Sequence, residues 1–139
     1  MAELLKSKEP VAAMKERLAA QIARLEQAGV RPKMTIVRCG ARPDDLSYEA
    51  GAIKRFNGLG IDVEVKELPV DIDQQAFTEQ IQALNRDDAV HGVLIFRPLP
   101  PQLDESVLKY VLSPEKDMDA MNPDNLAKVF AADSSGYPP

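Results

Sequence analysis

Few residues in this chain have side chains suited to chemistry. Cys39 and His91 are its one cysteine and one histidine. A thiolate nucleophile at Cys39 needs an activating base, and none is evident. A cysteine at a strand end otherwise serves as a small buried apolar residue. His91 precedes an apolar stretch and reads as a hydrogen-bonded structural imidazole, because a catalytic role needs a partner that the sequence does not display. Single copies of both residues exclude an internal disulfide framework and a cysteine- or histidine-rich metal centre, so no metal site is expected. Two segments are more specific. The prolines of Pro98-Leu99-Pro100-Pro101 lack amide donors and disfavour helix, which makes either a stiff extended wall beside a ligand or a plain strand terminator. Lys116-Asp117-Met118-Asp119 offers two carboxylates. They are either solvated turn residues or an acceptor for the two parallel N–H donors of a flat heterocycle.

The elements that position these residues alternate along the chain. Val11, Met14, Leu18, Ile22 and Leu25 form a helical stripe, with Pro10 suited to the first turn and Gly29 to the position past the end. Met34 to Val37 reads as a buried strand, followed by a loop over residues 40–45. A second helix is expected from Asp45 or Ser47 to about Leu59. Ile61, Val63 and Val65 alternate with charged residues, as in a half-exposed strand at a sheet edge. Asp71 or Asp73 caps a third helix bearing Phe77, Ile81 and Leu84. Gly92 to Phe96 is apolar throughout, as a central parallel strand would be. Asp104 caps a short helix, and a last one covers Leu126 to Phe130. The order α-β-α-β-α-β-α predicts an α/β fold, a three-layer α/β/α sandwich with a small, mainly parallel sheet. Ligands of such sheets sit outside the carboxyl ends of the strands. Those ends are residues 40–45, 69–73 and 97–102.

Composition narrows the function classes. The 139 residues carry a net charge of −5, 45% hydrophobic and 5% aromatic residues, and no tryptophan. An acidic chain poor in aromatics gives no electrostatic or stacking case for nucleic acid, nor for an anionic membrane. No apolar run reaches the ~18 residues of a membrane span, and the start lacks a secretory h-region, so the expected location is intracellular. Gly58-Leu59-Gly60 falls at a helix end, so no phosphate-cradling glycine loop is found.

Taken in order, several stretches resemble the N-terminal domain of the bifunctional methylenetetrahydrofolate dehydrogenase/methenyltetrahydrofolate cyclohydrolase family. They are residues 9–12, 36–40 leading to Pro43, Tyr48 through Gly60-Ile61, 91–95 with Pro98-Leu99-Pro100, Pro114 to Asp119, and Pro123-Asp124-Asn125. The resemblance spans essentially the whole chain. It implies a catalytic domain over residues 1–132. Residues 133–139 would then begin a linker to a C-terminal Rossmann domain that binds NAD or NADP, with no cofactor held by this half. It further implies tetrahydrofolate derivatives as substrates, a homodimer and a cytoplasmic location.

Aligned on Gly60-Ile61, Tyr48 falls on the family's tyrosine, which stacks near the folate. Asp119 falls on its folate-contacting aspartate, and Pro98, Leu99 and Pro100 on a substrate-side wall. The family's catalytic lysine falls on Ala52 and its glutamine on Phe96, while Arg97 replaces an apolar residue. Lys54 is two positions from the lysine site, a turn of ~200° around a helix, and so belongs to another face. Alanine carries no proton or charge and phenylalanine accepts no hydrogen bond. The expectation is therefore a dehydrogenase/cyclohydrolase whose cyclohydrolase step is impaired. The rivals are a dehydrogenase-only paralogue and a non-catalytic folate- or partner-binding domain.

Overall fold

The computed structural model describes residues 6–135. The expected linker from residue 136 onward lies outside these. Three parallel strands, β1 (Lys33–Cys39), β2 (Asp62–Leu68) and β3 (Gly92–Ile95), form a sheet in the order β2-β1-β3. Met34 pairs with Val63 on one side of β1 and with Gly92 on the other. The central strand is therefore β1, not the 92–96 run. The apolar character of β3 has another cause: both of its faces are packed, against α3 and α2, and the chain at 116–118 pairs with its outer edge at Val93. Val93 donates its N–H to the Lys116 carbonyl at 2.7 Å, and Met118 donates back to Val93 at 3.3 Å.

Strand alternation sends side chains to two faces. Val37, Cys39, Val93 and Ile95 point to one face, where α3 (Gln74–Arg86) lays down Phe77, Ile81 and Leu84. Leu99, Leu103 and Leu108, the last from the short α4 (Glu105–Leu108), complete this core. Met34, Ile36, Leu94 and Phe96 point to the other face, against α2 (Pro43–Asn57) with its Ala52 and Phe56. The result is the expected α/β/α layering.

Local chemistry sets the helix ends. Pro43 occupies the first turn of α2, so the helix begins before the expected Asp45 and takes Asp44 and Asp45 into its first turn, where negative charge meets the positive end of the helix dipole. Asp73 caps α3 by accepting from the Ala76 N–H at 2.7 Å, and Asp104 caps α4 by accepting from the Ser106 N–H at 2.8 Å. The last helix, α5 (Pro123–Phe130), starts earlier than its apolar residues indicate, because the Asn122 side chain caps it by accepting from the Asp124 N–H at 2.9 Å.

The first helix, α1 (Lys8–Gln27), departs from its stripe. Ile22 is buried, but Val11, Met14 and Leu25 are exposed. The stripe forms the helix without being covered along its length by the described residues.

Candidate functional site

The sequence brings Tyr48, Phe96, Arg97 and Asp119 to one hollow of about 350 Å³ at the carboxyl end of β3, rimmed also by Asp44 and Asp45. Tyr48 lies in the first half of α2 with its side chain largely exposed. Its ring meets that of Phe96 edge to face, with centroids 5.5 Å apart. Ala52 is one helical turn further on, buried beneath them in the same apolar cluster as Phe96, Met34 and Ile36. Lys54 is on another face of α2 and lines a separate shallow groove with Lys15 of α1. Ala52 and Phe96, the positions aligned with the lysine and glutamine, therefore share one cluster. What they form is a small patch of core rather than an acid–base pair.

The two carboxylates of the Lys116–Asp119 segment have separate tasks. Asp117 is 2% exposed, and its oxygens accept from the N–H groups of Asp119 (3.1 Å), Met121 (3.1 Å) and Asn122 (2.8 Å). It also accepts from the side-chain amide of the fully buried Asn125 at 3.2 Å. That amide donates as well to the Pro114 carbonyl at 2.7 Å. Lys116 reaches away, donating to the carbonyls of Leu84 and Asp87 at 2.8 and 2.7 Å, at the negative end of α3. The turn alternative thus describes Asp117 and Lys116. Asp119 is different: its side chain stands at the hollow, 3.0 Å from Arg97.

Two features were not readable from the sequence. Arg97 was visible only as a departure from a pattern; its pairing with Asp119 depends on the fold bringing the end of β3 beside the loop. Arg38 follows an apolar run in β1 and gave no signal at all. Its guanidinium is buried and binds Glu49 of α2 at 2.7 Å, Glu67 of β2 at 3.0 Å and the Gly40 carbonyl. The Glu49 hydrogen bond, opposed by burial and aided by Glu67, holds its pKa above the ordinary arginine value. This triad ties α2, and with it Tyr48, to the sheet.

Other candidate residues sit apart from the hollow. Leu99 turns into the α3-side core, while Pro98 is exposed and Pro100 half-buried beside it. None of the three lines the hollow. Cys39 is buried, and burial pushes its thiol pKa up, the reverse of what a nucleophile needs. His91 accepts from the Lys33 N–H at 3.2 Å and donates its own N–H to the Lys33 carbonyl at 2.8 Å, the structural role expected of it. The described residues contain no cluster of three metal-ligating side chains and no helix long and apolar enough to cross a membrane.

The turn between β1 and α2 fits a phosphate poorly. Gly40, the glycine between β1 and α2, has the Val70 side chain where its own Cβ would be, at 2.4 Å. Asp44 and Asp45 occupy the first turn of α2, the place where a phosphate would otherwise bind.

Comparison with known proteins bears on the whole arrangement. The family model for the tetrahydrofolate dehydrogenase/cyclohydrolase catalytic domain matches residues 5–119. The bifunctional protein FolD of Alkaliphilus metalliredigens is 48% identical over 139 residues, all of this chain and 49% of that protein. The Clostridium kluyveri protein of the same name is 47% identical over the same span and also 49% covered. The chain thus spans about half the length of the curated relatives it matches. Among solved structures, the bifunctional FolD enzyme of Campylobacter jejuni aligns with a TM-score of 0.90 at 28% identity, covering 97% of this chain and 48% of that one. A Trypanosoma brucei methylenetetrahydrofolate dehydrogenase-cyclohydrolase, solved with NADP and an inhibitor, aligns at 0.82 and 28% identity, over 92% of this chain and 44% of its own.

Proposed function

Because the chain belongs to the tetrahydrofolate dehydrogenase/cyclohydrolase family, we propose that it is the folate side of a two-domain enzyme that interconverts methylene-, methenyl- and formyl-tetrahydrofolate. The observation that carries this reading is Asp119. Its backbone is anchored on the buried Asp117, and its carboxylate faces a hollow with an aromatic wall. A pterin presents a ring N–H and a 2-amino group side by side, which one carboxylate accepts together. Tyr48 is placed to lie along the ring. The half of the relatives that this chain does not span supplies the site for NAD or NADP, consistent with the poor fit of a dinucleotide at α2. We place the catalytic domain over residues 1–132 and the start of the linker at 133–139. The complete enzyme would be a cytoplasmic homodimer.

Within this reading the cyclohydrolase step is impaired. Attack of water on the methenyl bridge needs a group to handle protons, and the position aligned with the lysine is a methyl group packed against Phe96. Loss of a positioned acid–base group costs ~10²–10⁴-fold in rate. The buried Ala52 also favours a second reading, a domain that binds folate without turning it over.

Assaying the full-length protein with methylene- and methenyl-tetrahydrofolate separates these. Dehydrogenase turnover with slow methenyl hydrolysis is the expected result. Binding of both ligands without turnover favours the second reading. Methenyl hydrolysis as fast as that of a relative bearing the lysine refutes the account of Ala52, and absence of binding refutes the folate reading altogether.

A further inference from the structure

We propose that Arg97 is a specificity-determining residue: its guanidinium and the Asp119 carboxylate together read one edge of the substrate ring. The inference rests on the pterin reading of Asp119 above. Arg97 Nη2 lies 3.0 Å from Asp119 Oδ2. The two side chains are 45% and 39% exposed, so neither seals off the other. That contact occupies one of five guanidinium N–H donors and one of several carboxylate lone pairs. The remaining donors and acceptors stand side by side on the rim of the hollow that holds Tyr48 and Phe96.

The spacing of the pair is set by the fold and not by a ligand. Arg97 follows Phe96, whose N–H donates to the Val37 carbonyl at 2.8 Å and whose ring is buried. Asp119 is held through its own N–H on the Asp117 carboxylate at 3.1 Å. A 2-amino-4-oxo ring carries, in order, a carbonyl acceptor, a ring N–H donor and an amino donor. A lone carboxylate matches the two donors and ignores the carbonyl. With the guanidinium beside it, the array becomes donor, acceptor, acceptor, the complement of the whole edge. Arg97 is the one cation among the residues lining this hollow, against Asp44, Asp45 and Asp119. A 2,4-diamino ring places an amino group there instead, which sets donor against donor at Arg97, and its intervening ring nitrogen carries no hydrogen, which sets acceptor against acceptor at Asp119.

The experiment is anaerobic titration calorimetry of the full-length protein with tetrahydrofolate and with its 2,4-diamino analogue, comparing wild type, Arg97→Leu and Arg97→Lys. Wild type is expected to prefer the 4-oxo ligand, and the share of that preference due to Arg97 is roughly tenfold, the value of one charge-assisted hydrogen bond at a half-exposed site. Arg97→Leu should lose that tenfold share and keep only the preference set by Asp119, and Arg97→Lys should keep part of the share. A merely structural role for Arg97 would weaken both ligands by the same factor and leave the ratio unchanged, which overturns the inference. Tighter tetrahydrofolate binding by Arg97→Leu also overturns it, because Arg97 would then be a competitor for Asp119. An equal affinity of wild type for the two ligands has the same effect. If wild type binds neither ligand, the folate reading fails and this inference with it; tetrahydrofolate binding with an unchanged ratio defeats the inference alone.

Discussion

On the α3 face of the sheet, Phe77, Ile81 and Leu84 close over Val37, Val93 and Ile95, and leucines from the following segments extend the core further. On the α2 face the buried apolar residues are Met34, Ile36, Ala52 and Phe96, and a hollow opens at their edge. The first face is packed for stability alone. The second has less core and opens into the hollow, and it carries polar ties: the Arg38 triad, and a loop wound around the Asp117 carboxylate. Ala52 and Phe96 blur the division. They occupy the centre of the α2 face, and here they behave as core.

The sharpest test of that contrast is a pair of truncations. Phe77→Ala should destabilise by about 3–5 kcal/mol, since the ring is fully buried with no route for collapse. Phe96→Ala should cost roughly 2 kcal/mol, because the exposed Tyr48 ring can fold into the space. Urea unfolding measures both, and equal costs would mean that the two faces are not built differently.

Arg38→Ala comes next, at about 3 kcal/mol in the same assay, because it leaves Glu49 partly buried with no counter-charge. A loss below 1 kcal/mol would show that the polar tie is dispensable to the α2 face.

Ala52→Lys tests whether that face can be returned to chemistry. The added side chain overpacks the Phe96 cluster, at about 2 kcal/mol, and burial there depresses the new amine's pKa. We expect no recovery of methenyl-tetrahydrofolate hydrolysis from this change alone. Adding Phe96→Gln should recover more than the two singles combined, because groups acting as a unit are not additive. A single variant as fast as the double would clear Phe96 as the obstacle.

The smallest effect is a pH effect on the α3 face. Hydrogen bonds from Ser106 hold the Asp104 carboxyl below the ordinary 3.8. A depressed pKa stabilises the fold above the unfolded value, and the gain disappears as pH falls through the folded one. Asp104→Asn should therefore flatten the stability profile only below about pH 4, within the carboxylate range. A difference that grows above neutrality would contradict the assignment.

Much of this was legible in the sequence. Periodicity, apolar runs and capping residues located the strands and helices of the described residues, and parallel pairing followed from their alternation. The i, i+4 spacing put Tyr48 over Ala52, and the aligned positions put Phe96 beside them. Two kinds of information were missing. Which strand is central depends on what covers the edges, and the apolar run of β3 could not reveal that a loop at 116–118 does so. Likewise, a charged residue in a strand gives no sign of its partners. Arg38 and Glu49 are 11 positions apart, and Arg97 and Asp119 are 22 apart. Each pair meets only after the chain has folded. The stripe of α1 shows the converse, a pattern strong enough to define a helix yet mostly left uncovered by the described residues.

The covered edge of β3 has a consequence for how copies of this protein behave toward one another. An open strand edge is a template on which a second chain can add its own backbone, the usual start of aggregation. The segment at 116–118 already occupies that template at Val93. The opposite edge, β2, carries Asp62, Glu64, Lys66 and Glu67, with Arg31 and Lys33 of the β1 side paired onto the first two. An incoming strand would have to set its own side chains against that row of charges. The loop that aims Asp119 at the hollow thus also blocks part of the edge on which a second chain could pair.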